Sequence, residues 1–320
     1  MIRTEGLHLR KTAFLFPGQG SQTVGMGQDM YQEFDFVREL FDMAEEISQA
    51  NLSRLCFKGP MEELTQTVNL QPAVTVVNLA LLSALQREGC QPLLSAGHSL
   101  GEYSALAASD IISAENTLRL VQRRGELMHR EAVNNTGAMS ALLGLPIAAV
   151  EDLVRKGRDQ GVVSVANHNT EHQIVITGDP RAVKVVSALA VEKGAKAIAL
   201  KVSGAWHSDL IRGAEDDFSR SLESIAFQTP VTGIISNVTA EVETDPDQIR
   251  SLMARQLCSP VKWYDSMQRL IKEEIDVFVE IGPGKVLTGL LRKILPKEYS
   301  TAIYNVNDLK SYEKLLSEFI

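Results

Sequence analysis

Residues 97–101 read Gly97-His98-Ser99-Leu100-Gly101, with Pro92-Leu-Leu-Ser-Ala before them and Glu102-Tyr-Ser-Ala-Leu after them. The run before the motif is short and apolar, as a buried strand is. The run after it, roughly Leu100–Ala108, has a helical pattern. Gly-x-Ser-x-Gly between a strand and a helix lifts a serine hydroxyl clear of a sheet, and the glycines allow the tight backbone. The helix N-terminus behind the serine presents amide N–H groups and a partial positive charge. Such groups can hold the oxyanion formed when an ester or thioester carbonyl is attacked. The plainer alternative is a glycine-rich strand–helix turn with no chemistry.

On either side of this turn the chain alternates strand and helix. Thr12–Phe16 reads as a buried strand ending at Pro17-Gly18. The next loop, Phe16-Pro-Gly-Gln-Gly-Ser-Gln22, fails the dinucleotide pattern at Thr23, and no phosphate-binding P-loop occurs. A glycine-rich loop at a strand's end can instead bring backbone N–H groups beside the serine. Phe34, Val37, Leu40, Phe41, Ala44 and Ile47 recur at helical spacing, and a helix start is expected near Pro72. Further helices are expected over Ala114–Val133, Ile249–Leu257, Lys285–Ile294 and Leu309–Phe319, with strands at Val231–Ser236 and Val277–Ile281. Between them, residues 137–202 read β-α-β-β-α-β, the order of a ferredoxin-like unit. The expected architecture is therefore an α/β main body on a mostly parallel sheet, formed by residues 1–132 and 204–320. A small ferredoxin-like domain is inserted at about 133–203.

Composition narrows the partners. The 320 residues carry 32 Lys and Arg against 40 Asp and Glu, a net charge of −8, so no basic excess points to nucleic acid. Cys56, Cys90 and Cys258 have neither metal-site nor disulfide spacing, which suits a reducing compartment. The apolar run before Pro17 is too short for a signal peptide, and His8 is expected in a tail. The charge-free stretches Leu64–Gln86 and Ala132–Val150 carry Pro with Asn, Thr or Gln and make poor membrane spans. Asn51, Asn134 and Asn237 fall in glycosylation sequons that mean nothing without secretion. A cytoplasmic protein is expected.

A serine nucleophile needs a base. Of six histidines, His98 adjoins the serine and should point away from it, His129 lies on a helix, and His168 and His172 lie in the insert. His207, in Ser203-Gly-Ala-Trp-His-Ser208, sits where the chain returns to the main body. Position alone leaves the choice open, with His207 the candidate. No acidic residue between Ser99 and His207 stands out as a third member, so a carbonyl or amide could orient the ring. In Arg123-Arg124-Gly125, a helical arginine is ordinarily solvated. Its functional reading is a guanidinium gripping a substrate carboxylate.

These motifs converge in order. FPGQGSQ, LQPAV at 70–74, GHSLGEYSAL at 97–106, RRG at 123–125, GAWHS at 204–208, RQLCSPVKW at 255–263 and EIGPGKVLTGL at 280–290 resemble the malonyl-CoA:acyl-carrier-protein transacylases, the FabD-type acyltransferases of fatty-acid synthesis. The resemblance runs from about Phe14 to Leu290. It implies a hydrolase-like α/β core with a ferredoxin-like insert. It also implies Ser99 as acylated nucleophile, His207 as base, and the backbone amides of Gln19 and Leu100 as oxyanion hole. Arg124 would hold the malonyl carboxylate, the carbonyl of Gln256 would orient His207, and Gln71 and Asn167 would line the site. Trp206 stands where phenylalanine is usual and borders the acyl pocket; Leu100 is the malonyl-type residue.

The resemblance further implies malonyl-CoA and an acyl-carrier protein as partners, with Lys193, Lys196, Lys201 and Arg212 as candidates to receive an acidic carrier. It implies no metal and no bound cofactor; with the charge and hydropathy above, no nucleic acid and no membrane partner is expected, and a monomer is expected. Two other readings share these motifs: a polyketide-synthase acyltransferase acting in trans, and a serine acylhydrolase acting on acyl-carrier protein. A carrier-binding protein without catalysis would not need Ser99 and His207.

Overall fold

The computed structural model describes residues 10–319, so His8 lies outside the described residues. Among the described residues, ten strands form two sheets. The first contains β1 (Thr12–Phe16), β2 (Leu94–Gly97), β7 (Gly233–Ile235), β8 (Val242–Glu243), β9 (Val277–Ile281) and β10 (Ala302–Val306), in the order β10-β9-β1-β2-β7-β8. All its pairings are parallel except β7 with β8. The second contains β3 (Ala138–Leu143), β4 (Val163–Thr170), β5 (Gln173–Gly178) and β6 (Lys196–Ala199), in the order β4-β5-β3-β6 with every neighbour antiparallel. With helices Ile147–Gly157 and Pro180–Glu192 as crossovers, this is the ferredoxin-like arrangement.

The central strand shows why the main body has three layers. Side chains alternate across a strand, and every residue of β1 is buried. Phe14 and Phe16 enter the larger apolar core, with residues of helices Asp35–Ser48, Thr67–Arg87, Gly101–Ala108 and Ala114–Asn134. Ala13 and Leu15 face the opposite core, with Trp263, Met267 and Leu270 of helix Trp263–Lys272 and Leu287 and Leu291 of helix Val286–Ile294. Each fully buried Phe or Leu contributes about 1.5–3 kcal/mol, so one five-residue strand anchors both layers. The second sheet has its own apolar cluster, centred on Leu142, Val150, Ile174, Ile176 and Val186.

Several elements depart from the expectations. The helix expected to start near Pro72 begins at Thr67, with Pro72 inside it. The proline lies only six residues in, so its missing N–H costs a single ladder bond early in the helix. Thr67–Arg87 is the one helix among the described residues that is long and apolar enough to cross a membrane, yet it lies inside the core, packed against its helical neighbours. Strand β7 is shorter than Val231–Ser236, and the half-buried edge strand β10 was not anticipated.

Register sets the site. Phe16 pairs with Gly97, so the loop after β1 and the turn after β2 leave the sheet side by side. The second sheet closes over them: its register shifts between Val165 and Asn167. There Val261 donates to the Ala166 carbonyl (2.8 Å) and accepts from the His168 amide (2.9 Å).

Candidate active site

Ser99 sits in left-handed backbone, φ 51°, which costs a residue with a side chain roughly 1–2 kcal/mol. Local sequence permits the turn: a Cβ on Gly97 would stand 2.0 Å from the Gly101 carbonyl carbon, and one on Gly101 would stand 1.9 Å from the Phe16 oxygen. Asn237 then holds it. Its Oδ1 accepts from the Ser99 amide at 2.7 Å, and its Nδ2 donates to the Gly97 carbonyl at 2.6 Å. Gly18 packs so near that a Cβ there would lie 2.4 Å from the His98 oxygen and 3.3 Å from the Leu100 nitrogen. This close approach places Gln19 beside Leu100, and both line the cavity over Ser99.

Ser99 Oγ lies 2.8 Å from His207 Nε2. His207 is buried, and its Nδ1 faces two carbonyl oxygens, Gln256 at 3.1 Å and Ser259 at 3.0 Å. Carbonyls only accept, so Nδ1 carries the proton and Nε2 presents its lone pair to the serine hydroxyl. Burial, reinforced by the Arg124 charge, pushes the His207 pKa down to about 3, so the ring is neutral at ordinary pH.

Arg124 reaches the same hydroxyl from helix Ala114–Asn134. That helix buries Leu120, Val121, Arg124, Leu127 and Met128 on one face. A Cβ on Gly125 would meet the Thr67 oxygen at 3.1 Å, so this face lies tight against its neighbour. Nη2 of Arg124 donates to Ser99 Oγ at 3.1 Å and to Gln256 Oε1 at 3.2 Å, and the guanidinium carbon stands 5.6 Å from the Tyr103 ring centre. Its Nε is buried without a hydrogen-bond partner. Arg123, one residue back, is exposed and pairs with Glu126 at 3.2 Å.

Asn167 and Trp206 line the cavity, together with Met128, Met139, Leu200 and Val202. Gln71 does not line it; buried one layer behind, it donates to Met128 Sδ at 3.2 Å. His98 turns from Ser99 toward the second sheet and meets Asn169 at 2.8 Å. Arg212 is tied to Asp209 and Glu215, whereas Lys193, Lys196 and Lys201 are exposed around β6.

Two residues of the site escape sequence reasoning. Asn237 reads only as a sequon. Glu102 is buried against the site, accepting from the Asn237 amide at 2.9 Å and from Gln256 Nε2 at 2.6 Å. A signal for Glu102 does exist: it is the only charge in GEYSALAA, the helix that follows the serine.

This assembly can activate a hydroxyl against a thioester beside a buried cation. The family model for the acyl transferase domain matches residues 13–313. A malonyl CoA-acyl carrier protein transacylase of Bacillus subtilis is 42% identical over 288 residues, covering 89% of this chain and 91% of that one. The structure of an acyl carrier protein S-malonyltransferase from Vibrio cholerae superposes with a TM-score of 0.90 at 38% identity, over 95% of this chain and 99% of that one. A malonyl-transacylase solved in complex with a type II polyketide-synthase acyl-carrier protein also gives 0.90, at 36% identity over 96% of this chain and 99% of that one. With the serine turn, the imidazole and the buried arginine all found within the matched span, the chain belongs to the acyltransferase family that includes the malonyl-CoA:acyl-carrier-protein transacylases.

Proposed function

We propose that this enzyme moves the malonyl group of malonyl-CoA to the phosphopantetheine thiol of acyl-carrier protein, for fatty-acid synthesis, through a malonyl ester on Ser99. Neutral His207 takes the Ser99 proton as Oγ attacks the thioester carbonyl. The amides of Gln19 and Leu100 receive the oxyanion, and the imidazolium returns its proton to the departing coenzyme A thiolate. The carrier thiol then gives its proton to His207 and attacks the ester, restoring the serine. Gln256 orients the imidazole through its carbonyl, while Asn167 and Trp206 shape the pocket, with Gln71 supporting it from behind.

The observation that carries this reading is Arg124: a buried guanidinium touching the nucleophile, with its Nε unpartnered. An acyl group ending in a carboxylate satisfies it, and a plain acyl group does not. The adjoining cleft, which shares Gln19, His98 and Asn167 with the acyl cavity, adds Asn169 and Gln173, amide side chains suited to a pantetheine arm.

The same proposal takes residues 133–203 as an inserted domain, supported by the separate apolar cluster of the second sheet. It places a monomeric enzyme in the cytoplasm, with Lys193, Lys196 and Lys201 facing the carrier. A second reading, acylation of a polyketide carrier, rests on the equal structural likeness to a malonyl-transacylase solved in complex with a type II polyketide-synthase acyl-carrier protein. Incubation with malonyl-CoA should add one malonyl group to the intact protein, and Ser99→Ala should take none. Transfer to fatty-acid and polyketide carrier proteins, compared by rate, separates the two pathways. Release of free malonate faster than transfer to any carrier would mean a hydrolase instead.

A further inference from the structure

Glu102 accepts two hydrogen bonds from groups that themselves hold the reacting pair. At Oε1 it accepts from the main-chain N–H of Asn237, whose side chain ties down the Ser99 amide and the Gly97 carbonyl. At Oε2 it accepts from Nε2 of Gln256. That nitrogen also donates to the Ser99 carbonyl at 2.9 Å, while the Gln256 main-chain oxygen holds His207 Nδ1 and its Oε1 accepts from Arg124. The three bonds that Asn237 and Gln256 make to the Gly97 carbonyl and the Ser99 main chain, and one of the two carbonyls on the imidazole, thus lead back through a single residue to one carboxyl. Glu102 itself touches neither Ser99 Oγ nor His207.

We propose that Glu102 is a positioning residue: its ionised carboxylate, accepting from Asn237 and Gln256 at once, fixes Ser99 and His207 at their reacting separation. The inference rests on the reading of Ser99 as nucleophile and His207 as base. Protonation would turn one carboxyl oxygen into a donor facing an N–H donor, so one of the two ties would break.

Burial pushes the Glu102 carboxyl up to about 7, against the two N–H donors and the Arg124 charge, which favour ionisation. The charged or titratable groups around it are Arg124 from helix Ala114–Asn134, Glu243 from β8, Tyr103 next in its own helix, and His207 beyond Gln256. His207, held at about 3, does not titrate near neutrality. A neutral-pH limb in the acylation rate therefore belongs to Glu102, although an imidazole would be the customary assignment.

The test is single-turnover acylation by malonyl-CoA, followed by rapid quench and mass spectrometry across pH, for wild type, Glu102→Gln and Glu102→Asp. Wild type should rise to a plateau with a midpoint near pH 7. Glu102→Gln should lower the plateau at least tenfold with a smaller change in KM, and should erase the midpoint. Glu102→Asp, which keeps a titrating carboxyl too short to reach both partners, should be slower but retain a midpoint. Wild-type rates in either variant, or a slow Glu102→Gln with the wild-type midpoint, would overturn the proposal. Should Glu102→Gln fail to fold, Glu102→Asp and the wild-type midpoint decide. Ser99→Ala, run alongside, isolates the underlying reading: malonyl uptake by that variant would reject the nucleophile whatever Glu102 does.

Discussion

Ser99 and His207 meet at 2.8 Å from two positions that are both left-handed, with φ of 51° and 59°. Neither residue type favours that backbone, and non-glycine residues held there cost of order 1–3 kcal/mol each. The surrounding bonds oppose relaxation: Asn237 and Gln256 on the serine side, and the Gln256 and Ser259 carbonyls on the imidazole side. Strain and hydrogen bonding together aim one short O–H···N contact into the cleft between the sheets.

Replacing His207 by Asn tests the imidazole without disturbing that backbone, because asparagine tolerates the left-handed region. Acylation should slow roughly 10²–10⁴-fold, the usual worth of a positioned base. Stability should change with pH in a definite direction. The folded-state pKa of about 3 lies below the ordinary 6.5, so the unfolded chain binds the proton more readily between those values. Stability from the neutral ring is therefore present above about pH 6.5 and is lost as pH falls toward 3. His207→Asn should remove that acid-side loss, read as a flatter dependence of the urea midpoint on pH over this window. An unchanged slope would place the imidazole in a more solvated state than the structure shows.

Asn237→Ala removes the acceptor for the Ser99 amide and the donor to the Gly97 carbonyl. Leaving a buried polar group unpaired costs about 1–3 kcal/mol. Thermal stability should therefore drop, and acylation should fall at least tenfold because the serine turn loses its clamp. Differential scanning calorimetry and the malonyl-ester burst check the two effects separately. Loss of stability with a normal burst would show that the turn holds itself.

The serine turn is legible in sequence because glycine at 97 and 101 is demanded locally: a Cβ at either site collides with backbone. The β-α-β-β-α-β order is legible because its helices and strands differ in apolar period. Glu102 and Asn237 are not legible, since their importance lies in bridges across 135 and 138 residues of chain. Composition and spacing carry no trace of such bridges. Pro72 misleads for a different reason: proline ordinarily marks a helix start, and here it lies within the second turn of Thr67–Arg87, a helix packed against five others. For Arg124, the sequence leaves solvated and buried readings open, and the apolar face it shares with Leu120, Val121 and Leu127 decides between them.

Arg124→Ala should lower malonyl transfer at least tenfold, since a charged hydrogen bond is worth about 1.5–3 kcal/mol and about 1.4 kcal/mol is a factor of ten. Acetyl transfer should suffer much less or improve, because acetyl brings no carboxylate to the cation. Arg123→Ala should do little: its side chain is exposed and engaged with Glu126. The ratio of kcat/KM for malonyl-CoA and acetyl-CoA in the three proteins is the measurement. An unchanged ratio in Arg124→Ala would locate the carboxylate elsewhere.

Trp206 sets the last expectation, because its ring is confined at Gly204. A Cβ on Gly204 would stand 2.7 Å from two carbons at the far edge of the indole and 2.9 Å from the Ala132 Cβ. Trp206 also lines the acyl cavity, so displacing the indole changes the shape of the space the acyl group occupies. Gly204→Ala should cost about 1–3 kcal/mol of stability, as overpacking does, and should slow acylation by malonyl-CoA. Trp206→Phe removes the outer ring and sacrifices no hydrogen bond, since the indole nitrogen is buried without a partner. Combined with Gly204→Ala it should restore much of both losses, so the double variant should be faster and more stable than Gly204→Ala alone. By itself, Trp206→Phe should enlarge the cavity and raise transfer of methylmalonyl relative to malonyl. The double-mutant cycle in melting temperature and in acylation rate measures the coupling. Additive effects would show that the indole yields in some direction other than the cavity, and that the width of the acyl pocket is set by Met128, Met139 and Leu200.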